Sequence, residues 1–466
     1  MLPSNLHYGG NRNESSMARS YTSMLYPNGS LDNYKSGTVC TILIPTRQNL
    51  TLCTTESVLN FNATIIGTDN TNFRFDSCGA HGFIQRIRIY HGSNLLEDID
   101  NYNMLAKEIF DLQVSTDASQ GKYSILAGTR QDLITKINGT AAGAAFPAQN
   151  LSANYINSGM LMQARTAPQP LNNDLSAGNN TRNFSITLIS ILGTLCNANY
   201  LPLFAMTSSD IRLEITFVSN PRMAGCSQSA ITDFQIDKVS YIGSFIELSD
   251  SAMGIIAGSL KGKLMKFTTN SYANYTYAQA VNTNTQINFN IAAKYMSLKS
   301  LIVSTRDSNA GVSVNGYYPL SSCLFNLNSY QFKIGNLSVP TIPPNTVSQM
   351  FGELIRTFGS MSDINYQPSI DIQSYSILVP TSSSSSTIFD GSVNSGSFYI
   401  GLDLENYQGS SASGTNYVGY NTTNDNIYLQ LYYGSMSTPI DSMRFDAFAM
   451  FDQELIFENG VCYRSF

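Results

Sequence analysis

The chain has 466 residues, of which 42% are hydrophobic, 11% aromatic and only 12% charged, with no Trp. A net charge of −6 and a pI near 5.1 exclude the concentrated basic surface needed to wrap nucleic acid. The hydrophobic content excludes a disordered chain, and the length calls for two or three units rather than one core.

Residues 1–35 are polar, with scattered Tyr and Met and no period, and read as an extended arm. No apolar core of signal-peptide type is present there, and the best apolar window, ITLISILGTL (186–195), is too short to span a bilayer. The expectation is a soluble chain without an export signal. Strand-like segments follow at 37–45, 57–67 and 83–92, the last setting Ile87 and Ile89 against Arg86 and Arg88. Gly, Pro, Asn and Asp punctuate the gaps, as turns require.

NMLAKEIFDL (103–112) breaks the strand pattern: Met104, Leu105, Ile109 and Leu112 share a helical face, with Glu108 among them. A long Gly/Ala/Asn-rich stretch (117–183) precedes the alternating strand 211–218, where Ile211, Leu213, Ile215 and Phe217 alternate with Arg212, Glu214, Thr216 and Val218. The half closes on a strand at 234–250.

The second half repeats this layout. Strands at 286–304 lead to a helix at 346–358, with Val347, Met350, Phe351, Leu354, Ile355 and Phe358 on one face and Thr346 with Gln349 spaced for a capping box. Loop-rich sequence at 381–425 precedes the alternating strand 426–433 and a final strand at 443–460. The break falls in LSDSAMGIIAGSLKG (248–262). Residues 36–250 and 251–466 thus read as two units, each long enough for a two-sheet sandwich, after an arm at 1–35.

Little in the chain suits chemistry. His7, His81 and His91 form no metal-binding or triad pattern, and no Gly-rich loop ends in Gly-Lys-Ser/Thr. Cys40, Cys53, Cys78, Cys196, Cys226, Cys323 and Cys462 are scattered and never form C-x-x-C, so they read as buried thiols. Carboxylates cluster at Glu97/Asp98/Asp100, at Asp403/Glu405 and at Asp446/Asp452/Glu454. Such pairs could serve a glycosidase, but a structural reading fits each better. Asp100 reads better as a helix cap, and Asp403 and Glu405 as a solvated strand face. Arg86 and Arg88, the close basic pair near aromatics, likewise read as a solvated face. No catalytic, cofactor-binding or metal-binding residue is assigned, and no enzyme activity is expected.

Several stretches carry a family resemblance: GSNLLEDIDNYNMLAKEIFDL (92–112), LPLFAMTSSDIRLEITF (201–217), YQFKIGNLSVPTIPPNTVSQMFGELIRTFG (330–359), FYIGLDLENYQGS with GTNYVGYNTTNDNIYLQLYY, and the ending FDAFAMFDQELIFENGVCYRSF. Together they resemble the double jelly-roll major capsid proteins of tailless icosahedral double-stranded DNA viruses, of the polinton-like virus and virophage type. The resemblance runs from about residue 35 to the end. It implies an all-β chain of two tandem eight-stranded jelly rolls with short helices in the connections. It also implies homotrimeric capsomers of nearly hexagonal outline in a virion shell, assembled in the infected host cell. The implied partners are neighbouring capsomers and penton and minor capsid proteins, without sequence-specific nucleic-acid binding and without cofactors. Loops 117–183 and 381–425 become candidates for an outer crown or for clasping neighbours, and the arm for the inner side. The alternative reading is a tandem β-sandwich carbohydrate-binding or adhesion protein.

Overall fold

The computed structural model describes residues 18–29, 32–67, 74–129, 181–196, 200–226, 231–260, 264–280, 286–308, 318–359, 362, 366–379, 395–406, 417–434 and 442–466. Most of both long loop regions, and residues 1–17, lie outside these.

The first half contains β1 (Ala18–Leu25), β2 (Asn33–Lys35), β3 (Val39–Ile44), β4 (Leu50–Gly67), β5 (Arg74–Phe75), β6 (Ile84–His91) and β7 (Asn94–Asp100). Three helices follow, α1 (Tyr102–Gln113), α2 (Thr116–Gln120) and α3 (Lys122–Leu126), then β8 (Thr181–Ile186), β9 (Ile211–Phe217), β10 (Gly225–Cys226) and β11 (Ile231–Leu248). The helix α4 (Asp250–Leu260) falls in the break read from the sequence. The second half contains β12 (Met265–Ala280), β13 (Gln286–Ile291), β14 (Leu298–Asp307), β15 (Leu327–Ile334), β16 (Leu337–Val339), α5 (Val347–Arg356) and α6 (Ile372–Tyr375). It ends with β17 (Tyr399–Asp403), β18 (Ile427–Tyr433), β19 (Ser442–Glu458) and β20 (Val461–Ser465).

Antiparallel pairing gives the two halves one topology. In the first, β1-β11-β4-β8, with β2 also on β11, faces β3-β9-β6-β7; in the second, β12-β19-β14-β17 faces β13-β18-β15-β16. With β1 and β2 counted as one interrupted strand, and the short pair β5-β10 and the added β20 set aside, successive strands alternate between the two sheets except at the β6-β7 and β15-β16 hairpins, and the order is the same twice. That order is the eight-stranded jelly roll, so the all-β expectation holds.

The alternation seen in the sequence has its cause here. In β9, Ile211, Leu213, Ile215 and Phe217 are buried while Arg212, Glu214 and Thr216 are half-buried, as a strand with one core face requires. Phe61, Phe75, Phe83 and Phe184 pack edge-on or tilted at centroid distances of 5.3–6.4 Å. Tyr277 stacks on Phe289 at 5.2 Å in the second core. Asn459 (φ 52°) and Gly460 (φ 78°) make the two-residue turn between β19 and β20, the backbone that an Asn-Gly pair favours.

From Ala18 onward the segment read as an arm is an edge strand of the first sheet. Ala18↔Leu248 through Leu25↔Tyr241 pair in register, and Lys35 pairs with Gln235. An edge strand covered on neither side shows no alternation: β1 is mostly exposed, and Tyr34 carries the burial at 3% exposure. The helices expected at 103–112 and 346–358 are α1 and α5, which occupy equivalent positions between β7 and β8 and between β16 and β17. Thr346 Oγ1 accepts from Gln349 N (3.3 Å), but Gln349 Oε1 accepts from Asn345 N, so only half of the expected capping box forms.

α5 lies directly on β17, where a Cβ on Gly401 would sit 2.8 Å from Leu354 Cα. Gly401→Val therefore forces helix and sheet apart and is expected to cost about 1–3 kcal/mol by overpacking, read from urea unfolding beside the parent chain.

Candidate functional site

The densest polar chemistry lies in the seam between the two halves, and α1 is its centre. Asp100 does not cap this helix: its Oδ1 accepts from Asn101 N (2.9 Å), and the N-cap is Asn101 itself, in the left-handed region at φ 48°. An Asn tolerates that backbone better than most residues. The turn frees the Asn101 side chain to cross the seam, donating to Asn274 Oδ1 (2.9 Å) and accepting from Arg444 Nη2 (3.1 Å).

Nearly two turns further, the Lys107 ammonium is wholly buried. Its Nζ lies 2.9 Å from Asp111 Oδ2, 3.3 Å from Asp76 Oδ1 and 3.1 Å from Ser77 Oγ. The second half closes this cluster. Tyr399 OH donates to Asp111 Oδ2 (2.7 Å), Ser395 Oγ donates to Asp76 Oδ1 (2.7 Å), and Ser397 Oγ lies 3.5 Å from Nζ.

Glu108 stands beside a second buried group. Asp446 Oδ2 pairs with Arg306 (2.6 Å), and its Oδ1 pairs with Arg444 (3.0 Å) and accepts from Thr276 (2.8 Å). Burial opposes ionisation of Asp446, but Arg306 and Arg444 outweigh it and hold the carboxyl below its ordinary range. Burial, reinforced by the Asp446 carboxylate, pushes Glu108 well above its own, which favours its neutral form.

Glu97 on β7 is buried between Ile191 N–H (2.8 Å) and Ser271 Oγ of the second half (3.1 Å). Burial raises it from 4.5 to about 7, against the lowering effect of those two donors. His91 Nδ1 accepts from Cys462 N (3.1 Å), which places its proton on Nε2, facing Met206 O at 3.1 Å. Gln453 Nε2 donates to Leu96 O (2.6 Å), and Asn94 Nδ2 to Cys462 O (3.1 Å).

The other sequence candidates are placed apart from one another. Arg86 forms a two-point pair with Asp98 (2.7 and 2.6 Å) and Arg88 pairs with Glu214 (3.1 Å), all on the partly solvated face expected. Glu454 meets Lys266 (2.9 Å), and Asp452 is buried with Lys299 (2.9 Å). Asp403 and Glu405 flank buried Leu402 and Leu404, and Asp403 Oδ1 accepts from Glu405 N (3.0 Å). His81 is buried against Tyr102 OH (2.9 Å) and pushed down to about 3 by burial; His7 lies outside the described residues.

Cys40, Cys53, Cys78, Cys323 and Cys462 are buried thiols. Burial pushes Cys40 up to about 11 and Cys323 and Cys462 up to about 12, which suppresses the reactive thiolate. The side chains of Cys196 and Cys226 lie outside the described residues. Among those described, no group of three or more His, Cys, Asp or Glu is placed to hold a metal ion, and no helix is long and apolar enough to cross a membrane. Glu97, Lys107, Glu108, Asp111 and Asp446 are fully buried in the seam, while Arg444 at its edge is partly exposed.

No family model matches this chain, and no curated protein matches it by sequence. Solved structures do match, over almost its whole length. A quasi-atomic model of the PBCV-1 virus capsid superimposes with a TM-score of 0.60 at 12% identity, covering 98% of this chain and 99% of that one. The cryo-EM structure of the Sputnik virophage gives 0.57 at 10% identity (100% and 92% covered), and the mavirus major capsid protein gives 0.54 at 10% (100% and 95%). The chain has the double jelly-roll fold of these capsid proteins. In this double jelly roll the seam is the contact between the first roll's helix side and the second roll's β12-β19-β14-β17 sheet.

Sequence reading singled out Glu97, Asp446 and Asp452 only as members of carboxylate clusters, and it missed Lys107, Asp76 and Asp111. The available signal was in α1, where charges stand on a helix that is buried almost all round.

Lys107→Met strands two buried carboxylates without their cation and is expected to cost about 3–5 kcal/mol in urea unfolding. Glu97 sets a pH dependence. Its folded pKa lies above its unfolded one, so its stabilising share is fully present below about pH 4.5 and is lost as pH rises to about 7. The loss is about 3 kcal/mol. Glu97→Gln keeps an acceptor for Ile191 N–H and is expected to flatten that slope, leaving the variant more stable than the parent at pH 8 but not at pH 4.5.

Proposed function

We propose that this chain is a major capsid protein. Three copies form a capsomer of nearly hexagonal outline, two rolls from each, and capsomers tile an icosahedral virion shell around a double-stranded DNA genome. The observation that carries this reading is the topology: one eight-stranded jelly roll occurs twice in one chain, with equivalent helices, over the same full length as the capsid proteins it resembles.

The physical properties support it. A closed shell needs large, repeated, self-complementary surfaces, and this chain is low in charge and rich in Asn, Ser, Thr and Tyr, which suits broad hydrogen-bonded contacts. The units proposed are those at 36–250 and 251–466, the first extended back to Ala18 by its edge strand. The partners are further copies of the chain, with penton and minor capsid proteins completing the shell.

Light scattering of the purified chain is expected to give about three times the 51.0 kDa chain mass, with a hexagonal outline in negative stain. A stable 51.0 kDa monomer at micromolar concentration would count against the capsomer and turn attention to glycan binding.

A further inference from the structure

The cluster around Lys107 holds an amine and two carboxyls in one closed site. Nζ stands 2.9 Å from Asp111 Oδ2 and 3.3 Å from Asp76 Oδ1. The two oxygens of Asp76 have unlike surroundings. Oδ1 accepts from Ser77 N (2.7 Å) and from Ser395 Oγ (2.7 Å) in addition to facing Nζ. Oδ2 is buried and has no hydrogen-bond partner among the described residues. A carboxylate carries its charge on both oxygens, and leaving one of them bare in the interior is costly. The asymmetry suits an acyl group instead, with a carbonyl oxygen gripped by donors and a second oxygen held by nothing.

Water is kept from the reacting atoms: Asp76, Lys107, Asp111, Ser395 and Tyr399 are at most 2% exposed. Burial penalises both charges of an ion pair, so a neutral amine beside a neutral carboxyl competes with it. A desolvated lysine amine is a nucleophile, and fixing it beside the carboxyl removes the entropy cost of bringing the two together.

We propose that Lys107 and Asp76 condense into an isopeptide bond once the chain has folded. A proton passes from Nζ to Asp76 across the ion pair, leaving an amine and a carboxyl. Nζ attacks Asp76 Cγ, and the charge that develops on Oδ1 meets the Ser77 N–H and the Ser395 hydroxyl. Asp111 takes a second proton from Nζ and returns it to Oδ2, which leaves as water. The Cγ–Nζ bond forms and the Cγ–Oδ2 bond breaks. Of the three ammonium protons, two leave with the water and one stays on the amide nitrogen, so no further reactant is needed.

Ser395 and Tyr399, whose OH lies 2.7 Å from Asp111 Oδ2, both belong to the second roll. The site is therefore complete only after the two rolls have docked, and the bond forms late. It ties the turn after β5 to α1 and so pins the helix at the centre of the seam. The inference needs only the folded chain and stands apart from the capsomer reading.

The test is the mass of the purified full-length chain under denaturing conditions. The expected mass is one water below that of the unlinked chain. Tryptic digestion is expected to yield residues 75–86 joined to residues 89–122, with Lys107 uncut. Lys107→Arg cannot form the amide, and Asp111→Asn lacks the proton acceptor, so both variants are expected at the unlinked mass. A parent chain at the unlinked mass, releasing 75–86 and 89–107 as separate peptides, overturns the proposal. A lost water that maps to Lys107 and Asp111 within α1 overturns it as well. Should either variant misfold, the peptides of the parent chain decide alone.

Discussion

The buried ammonium of Lys107 depends on both halves of the chain at once. Asp76 and Asp111 come from the first roll, and the hydroxyls of Ser395 and Tyr399 that satisfy those carboxylates come from the second. Opening the seam would leave charges without their hydrogen-bond partners, a large cost in a low-dielectric interior. A buried ion cluster adds little net stability compared with apolar packing of the same volume. What it supplies here is geometry: one relative placement of the rolls satisfies every member, and a slipped one does not. The asymmetric rows at Asn101/Asn274/Arg444 and Glu97/Ser271 fix the same placement at other points along the joint.

That placement explains why two rolls of one topology differ in sequence. β14 is buried on nearly every residue, because one side faces its own core and the other faces α1. Its equivalent β4 alternates from Leu59 to Ile65, with Asn60, Asn62 and Thr64 half-buried between core residues. The same contrast separates β19 from β11. The second roll thus carries a sheet with two buried sides and the first a sheet with one, and a gene-length repeat of layout need not show as a repeat of residues.

The alternating strands and the two amphipathic helices were legible in the sequence because their burial is local: one face to the core and one to solvent gives a period that a short window reveals. β9 and α5 show this most clearly. The first strand was not legible, since at a sheet edge Arg19, Ser20 and Thr22 face water on both sides and leave no period. Asp100 looked like a cap by position, but the left-handed backbone of Asn101 moved that role one residue on. The seam was hidden for a different reason. Lys107, Glu108 and Asp111 become buried only through residues hundreds of positions away, such as Arg306, Tyr399 and Asp446, and no local pattern encodes partners at that separation.

The open β1-β11-β4-β8 face carries mostly neutral polar side chains, with Asp237 among them. Asn, Ser and Thr cost little in water, where the Asn183–Asn60–Asn62 ladder already orders them. The fully buried ionic groups stand instead in the seam, around Lys107 and Asp446. A joint formed within one chain can hold buried charges, because the fold itself brings each charge its partner.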